Sequence, residues 1–165
     1  MVPRRLHEFC VWLDQTPLSQ AFQSTDWLVP TVQTIHILAV ALIIGAVLTI
    51  NLRLLGWSNL DQPLERVCAR FVPFIWWPLL ALLATGTIMI IGEPARSLQN
   101  PVFQLKMALI AIALVVVGVL QTRVRRSPAF ETTVMRRRGA AAGIALFSAL
   151  LWGGIIVAGR WIAYW

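Results

Sequence analysis

Charged residues are scarce in this chain of 165 residues, where they make up 13% of the sequence. That share is about half of what a soluble domain carries. Hydrophobic residues make up 58% instead, which is typical of a chain surrounded by lipid. The net charge of +7 raises the question of nucleic acid, but the basic residues flank apolar runs, where membrane topology requires them. We therefore expect a lipid bilayer around the chain and no nucleic-acid partner.

Several chemical signatures are also missing from the sequence. The two cysteines, Cys10 and Cys68, lack the CxxC spacing of zinc or thioredoxin sites. No Asp or Glu lies deep in an apolar run, which argues against a carboxylate proton relay. Walker, Rossmann and GxSxG motifs are absent, and no inverted repeat with broken helices suggests a conventional transporter. These absences favour a non-catalytic membrane subunit over an enzyme.

Four apolar segments are each long enough to cross ~30 Å of hydrocarbon, which takes about 20 helical residues. They lie at about 27–50, 71–92, 103–120 and 139–159. The sequence therefore predicts an all-α fold, an integral membrane four-helix bundle that forms one domain over residues 1–165. We expect Pro78 to kink the second span.

Residues 1–26 precede the first span and contain a pattern of their own. Five apolar residues can share one face of a helix, with charged residues elsewhere: Leu6, Phe9, Cys10, Trp12 and Leu13. This pattern predicts an amphipathic helix that lies on the membrane surface. Pro17 is expected to break or restart it.

Arginine is distributed unevenly between the two ends of the predicted bundle. The first and third loops carry Arg53, Arg66, Arg70, Arg123, Arg125, Arg126, Arg136, Arg137 and Arg138, and the opposite side carries Arg4, Arg5, Arg96, Lys106 and Arg160. The positive-inside rule places the two arginine-rich loops in the cytoplasm and both termini in the periplasm of a bacterial inner membrane. The termini then share their side with Trp27, Trp161, Tyr164 and Trp165, as an interfacial aromatic belt does.

His36 is the only histidine inside a predicted span, and ionisable groups in that position are commonly functional. At 100° per residue it shares a stripe with Gln33, Val40, Ile43, Val47 and Asn51, which should face the bundle. It lies about 9 Å in from Pro30 at 1.5 Å per residue. Other groups at the same end of the bundle are two thioethers, two cations and a phenol: Met89, Met107, Lys106, Arg160 and Tyr164.

Four interpretations of this group stay open. A b-type haem takes His36 as an axial ligand, with Lys106 and Arg160 near its propionates and Tyr164 at the same level. A quinone takes a hydrogen bond from His36 or Gln33 in an apolar slot. A copper site uses His36 with Met89 and Met107 as soft metal ligands. With no cofactor, a neutral His36 bonds to a carbonyl or hydroxyl of a neighbouring helix.

The fourth span contains small residues at intervals of four: Ala141, Ala145, Ala149 and Gly153, with Gly139 and Gly143 as a GxxxG pair. Small residues let helix backbones approach closely in lipid. The seam predicts packing inside the bundle, and its alternative is contact with other membrane subunits or with a second copy.

Several stretches resemble a family of small four-helix bacterial inner-membrane proteins known as a domain of unknown function. They are the segment from Trp12 to Gly56 with His36, NPVFQLKMALI with Lys106, and GRWIAYW with Arg160 and Tyr164. The layout is more loosely similar to copper-resistance D-type and cytochrome-b-like membrane proteins. The resemblance implies the fold and leaves the function open. Our expectation is a membrane subunit that carries or contacts a redox cofactor through His36 within a larger assembly; the alternatives are a scaffold subunit and a copper-handling protein.

Overall fold

The computed structural model describes residues 4–58, 61–127, 130, 133–134 and 136–164. These residues form α-helices and no strands, which confirms the all-α prediction. The helices are α1 (Arg4–Asp14), α2 (Pro17–Gln23), α3 (Leu28–Leu54), α4 (Leu64–Phe71), α5 (Pro73–Gly92), α6 (Pro94–Leu98), α7 (Pro101–Arg126) and α8 (Arg138–Trp161), followed by a 3-10 turn over Ile162–Tyr164. Residues 1–3 of the predicted surface segment and Trp165 lie outside the described residues.

Four helical stretches are long and apolar enough to cross a membrane: Leu28–Leu54, Leu64–Gly92, Pro101–Arg126 and Arg138–Trp161. Large apolar side chains such as Leu38, Val115 and Leu150 point outward from them, as they do on helices that are surrounded by a lipid bilayer. The chain thus has the features of a multi-pass membrane protein. The helices extend several residues beyond the predicted spans because the flanking polar and arginine-containing segments remain helical.

The second membrane stretch consists of two helices in succession. Val72 separates α4 from α5, and Pro73 occupies the first turn of α5. Proline has no backbone N–H to donate, so it is tolerated at a helix start and interrupts a helix that arrives from upstream. The helix break in this stretch therefore falls before Pro73, and α5 continues through Pro78.

The spans pack in the order α5, α3, α8, α7. Helix α3 lies between α5 and α8, α7 packs against α8, and the short α4 contacts α7. The end of the bundle that holds α1, α2 and α6 is called the terminal end below, and the end with the two arginine-rich loops is the arginine-rich end. Buried apolar side chains such as Ile43, Leu64 and Ile75 concentrate in the middle and at the arginine-rich end. The terminal end is packed more openly.

The small-residue seam of α8 does not form one packed stripe. Ala141 and Ala145 are buried, Ala149 is exposed, and a Cβ added at Gly153 would meet no atom within 4 Å. A step of four residues rotates about 400° around a helix, so each step moves about 40° off the starting face. The buried face instead continues through Ser148 and alternates steps of three and four residues. The prediction of bundle packing holds for the first two alanines and is wrong for Ala149.

The N-terminal helices rest on the terminal end of the bundle. Thr16 caps α2 by accepting a hydrogen bond from the backbone N–H of Ser19, and Pro17 occupies the first turn, so the predicted restart at Pro17 is present. The Ser19 hydroxyl donates to the carbonyl of Ile91 at 2.7 Å, and the Gln23 amide donates to the carbonyl of Gly92 at 3.0 Å. These two carbonyls belong to the last turn of α5, where helix geometry leaves them without a partner.

The apolar face of α1 is divided between protein and surroundings. Cys10 is 1% exposed, and its thiol donates to the carbonyl of Pro94 in α6. Phe9 and Trp12 are exposed, with their ring centroids 5.8 Å apart. Helix α1 therefore contacts α6 through one edge and presents an aromatic pair outward, as an interfacial helix does.

Candidate functional site

A hydrogen bond between two membrane helices holds His36. Its Nδ1 lies 2.8 Å from the hydroxyl oxygen of Thr85 in α5. Thr85 is 6% exposed, and its hydroxyl also lies 2.7 Å from the carbonyl of Ala81 in its own helix. This chain of contacts ties α3 to α5 about two turns below the terminal end of the bundle.

The chain of contacts favours one tautomer of the imidazole. A hydroxyl has a single hydrogen, and Thr85 uses it toward Ala81. With the hydroxyl hydrogen in that bond, the matching tautomer of His36 is the one that donates its Nδ1–H to the oxygen lone pair of Thr85. The hydrogen of a neutral imidazole is in this way committed to Nδ1, which leaves the lone pair on Nε2 available to a ligand.

Antiparallel geometry explains why these two residues meet. His36 is the ninth residue of α3, and Thr85 is the eighth residue from the end of α5. Because the two helices run in opposite directions and pack side by side, both residues lie at the same depth. Gly86 follows Thr85 and faces the ring: a Cβ there would lie 3.9 Å from Cε1 of His36, in ordinary contact.

Lys106 brings a positive charge to the same region from α7. Its side chain lies across Gly159 of α8, where a Cβ would be 3.4 Å from Nζ and 3.6 Å from Cε. Lys106 is the sixth residue of α7, which begins at the terminal end, so it lies at a depth similar to that of His36. No acidic side chain among the described residues pairs with Lys106. The region therefore contains residues from all four membrane stretches and an ammonium group with no acidic partner in the part of the chain that the structure describes.

A cavity of about 750 Å³ opens above this group at the terminal end. Helices α1, α2 and α6 form its roof and walls through residues such as Cys10, Phe22 and Pro94, and Val32 and Gly159 are among the residues of the membrane helices that line it. Ligand sites usually measure about 300–1,000 Å³, so the cavity is large enough for a small organic molecule. Gly159 lines the cavity and lies next to the Lys106 side chain, which does not itself line the cavity.

The predicted site residues separate into three groups. His36 and Lys106 lie at a similar depth near the terminal end, and neither lines the cavity. Gln33 and Met89 line the cavity itself, and Gln33 is exposed rather than packed in the bundle. The remaining three, Met107, Arg160 and Tyr164, are exposed and do not line the cavity.

Arg160 and Tyr164 interact with each other one helical turn apart. The guanidinium of Arg160 donates to the Tyr164 hydroxyl at 3.1 Å and lies 5.4 Å from the ring centroid. Both are exposed, so this pair belongs to the outer surface of the terminal end. Met107, at 45% exposure, points outward beside Lys106.

The described residues contain no group of three or more His, Cys, Asp and Glu side chains that could hold a metal ion. Any metal bound by these residues would therefore depend on a mixed set of ligands. His36 offers one nitrogen, and Met89 is the one of the two predicted thioethers that lines the cavity.

Thr85 and Gly159 belong to the site in the structure, but they are not among the site residues predicted from the sequence. An intramembrane imidazole needs a polar partner, and a hydroxyl at matching depth on a neighbouring helix is the signal to look for. Thr85 and Thr87 both meet that requirement, but Thr87 turns outward and bonds to the carbonyl of Leu83 in its own helix. Helix rotation decides between them, and that rotation comes from packing.

Residues 23–165 match the model of a family of unknown function, DUF6644. This chain belongs to that family. No curated protein and no solved structure matches it. Membership therefore confirms the resemblance to an uncharacterised family and adds no ligand or activity. The matched range contains His36, Thr85, Lys106 and Gly159, while α1 and most of α2 precede it.

Proposed function

We propose that this chain is an integral membrane subunit that holds a redox cofactor of the b-type haem or quinone class beside His36. The observation that supports the proposal is the fixed imidazole: Nδ1 is bonded to Thr85, which leaves Nε2 for a ligand. Gln33, three residues before His36 on the same helix, lines a cavity of about 750 Å³. Histidines that bind metals commonly fix their other nitrogen in this way. The bound group would supply electron transfer, and the chain would supply its position and surroundings.

Lys106 supports a ligand that carries oxygen. An ammonium without a counter-ion in a membrane helix is costly, and an anionic or strongly accepting group offsets that cost. Haem propionates and quinone oxygens are both such groups. For a haem, His36 would hold the iron through its Nε2 lone pair, and Lys106 would donate N–H groups to a propionate. For a quinone, Lys106 would donate to a quinone oxygen, and the Nε2 lone pair would accept a hydrogen bond from the hydroxyl of the reduced form.

Copper is the weaker alternative on the same contacts. The positive charge of Lys106 opposes a cation at His36, and Met107 points outward.

A scaffold role without a cofactor has a specific observation in its favour: the bond to Thr85 gives the imidazole a partner and ties α3 to α5. In that case His36→Gln alters stability and nothing else.

The localisation that goes with this proposal is a bacterial inner membrane, with the arginine-rich end in the cytoplasm and the cavity on the periplasmic side. Partner subunits of a larger assembly would contact the outward side of α8, where Ala149 is exposed. Such partners would be needed for electron transfer, because the described membrane helices contain one histidine, His36, and therefore one candidate cofactor site.

The test is spectroscopy on the full chain, isolated gently from its native membrane. A haem gives a Soret band, and a quinone is recovered by solvent extraction in an amount matched to the protein. We expect His36→Ala to remove the Soret band or the extracted quinone while the helices stay folded by circular dichroism. Thr122→Ala is the control, since Thr122 lies toward the arginine-rich end of α7 with its hydroxyl bonded inside its own helix, and it should leave the ligand in place.

Two results would contradict the proposal. The first is wild-type protein without Soret absorption and without stoichiometric quinone. The second is a ligand that survives His36→Ala unchanged. Copper in amounts matched to the protein, and lost in His36→Ala, would favour the copper alternative.

A further inference from the structure

A second set of polar side chains lies inside the bundle at the arginine-rich end, far from His36. Asn51 of α3, Gln121 of α7 and Ser148 of α8 line a small cavity of about 20 Å³ whose other walls are mostly apolar. Asn51 is 6% exposed and Ser148 is 9% exposed. Three membrane helices therefore direct one polar group each toward a common enclosed space.

None of these three side chains forms a hydrogen bond with another described residue. Neighbouring hydroxyls behave differently: Thr49 bonds to the carbonyl of Gly45, and Thr122 bonds to the carbonyl of Gly118. Among the described residues no side-chain nitrogen or oxygen is sealed off without a partner. The polar side-chain atoms of Asn51, Gln121 and Ser148 therefore keep some accessible surface, and all three residues line the cavity.

Polar groups inside a membrane bundle must find partners within the protein, because lipid offers none. A cavity of about 10–15 Å³ is enough for one water molecule, and buried waters typically make about three hydrogen bonds. The cavity has that capacity, and it offers three polar side chains. We infer that it binds a single water molecule, which joins Asn51, Gln121 and Ser148 and thereby links α3, α7 and α8.

A neutral ligand fits this place better than a cation. The three side chains are uncharged, whereas metal cations with oxygen ligands take about six or more of them. Arg53 lies two residues from Asn51, is buried, and brings a positive charge to this end of α3. A water molecule can also form hydrogen bonds with two amides and a hydroxyl at once, since it donates two hydrogens and accepts through two lone pairs.

The direct test is solid-state NMR of the full chain in lipid vesicles, with nitrogen-15 in the side chains of asparagine and glutamine. We expect transfer of magnetisation from water to the side-chain amides of Asn51 and Gln121 in the wild-type protein. Ser148→Val puts methyl groups in place of the hydroxyl and fills the cavity. We expect it to abolish both signals and to lower the unfolding temperature by about 2–4 °C.

Ala149→Val is the matched control, because it adds apolar bulk to the adjacent, outward-facing position of α8. It should leave both water signals and the unfolding temperature unchanged. The absence of water signals in the wild type, or their survival in Ser148→Val, would overturn the inference.

A comparison of salts decides between water and a cation. Unfolding temperatures in sodium, potassium and choline chloride at one ionic strength should agree if the site holds water. A higher unfolding temperature in sodium or potassium than in choline, lost in Ser148→Val, would assign the cavity to a cation and overturn the inference. The wild-type spectrum and the salt series remain decisive even where Ser148→Val fails to fold.

Discussion

An imidazole inside a membrane helix becomes useful when its orientation is fixed. Thr85 holds His36 from the neighbouring helix, and the bond of Thr85 to Ala81 favours the tautomer that carries its hydrogen on Nδ1. Both effects depend on one hydroxyl oxygen. Thr85 therefore controls the orientation of His36, although Thr85 itself is not proposed to bind the ligand.

Thr85→Val tests this dependence, because valine keeps the shape of threonine and removes the hydroxyl. Without its acceptor, His36 Nδ1–H is left unsatisfied in the bundle, which should lower the free energy of unfolding by about 1–3 kcal/mol. Thr87→Val is the control, since its hydroxyl bonds only within α5 and faces outward, and it should cost under about 1 kcal/mol. Denaturant unfolding in detergent measures both. Equal effects of the two variants would mean that the His36–Thr85 bond carries no special weight.

The sequence predicts how deep in the bundle a residue lies along its helix, but it does not predict in which direction its side chain points around the helix. The number of residues from a helix end gives depth, so His36 and Lys106 are correctly predicted to lie at one end of the bundle. Met107 is adjacent to Lys106 and points outward, because 100° of helix rotation separates neighbours. The partner of His36 is unknown from sequence because Thr85 and Thr87 differ only in the direction they face.

The helices themselves are largely predictable from apolar runs about 20 residues long, and the structure has four of them. Their ends are less predictable, since a helix does not stop where the hydrocarbon stops. Periodicity on α8 misleads for a related reason. A repeat of four looks regular in sequence, but it spirals around the helix and carries Ala149 from the buried side to the exposed side.

Ala145 and Ala149 provide a matched pair on this helix. Ala145→Leu forces a larger side chain into a packed position and should destabilise the bundle by about 1–3 kcal/mol. Ala149→Leu places the same atoms on the outward side and should leave the stability of the isolated chain unchanged. Thermal unfolding in detergent checks both expectations. Destabilisation by Ala149→Leu to the same extent would mean that the packed face of α8 has been misassigned.

The same pair separates packing within the chain from assembly with partners. In gently solubilised membranes, Ala149→Leu should reduce co-purification of partner subunits, or the size of a homo-oligomer, while the chain stays folded. Unchanged particle size and composition would exclude the outward side of α8 as a contact surface.

The whole molecule is asymmetric along its length. Its buried apolar residues concentrate toward the arginine-rich end, whereas the terminal end holds the large cavity, His36 and Lys106. A dense half can fix the helix positions while an open half keeps room for a ligand. Which half faces the cytoplasm therefore determines the side of the membrane from which a ligand can enter.

Cysteine labelling in intact cells measures this orientation. Native Cys10 and Cys68 are both buried, so they should give a low background with an impermeant thiol reagent. Asp26→Cys lies exposed between α2 and α3, and Asp61→Cys lies exposed between α3 and α4. From the excess of arginine near the second position, we expect Asp26→Cys to react in intact cells and Asp61→Cys only after lysis. The opposite pattern would place the cavity on the cytoplasmic side.

The bonds from Ser19 to Ile91 and from Gln23 to Gly92 also determine the order of events during synthesis. Helices α1 and α2 are made before α5, yet the carbonyls that receive them belong to the last turn of α5, about 70 residues later in the chain. Until that turn has been inserted, α1 and α2 have nothing to close against. These two helices therefore reach their final position after α5, and the walls of the cavity are complete only when Gly159 of α8 is also in place.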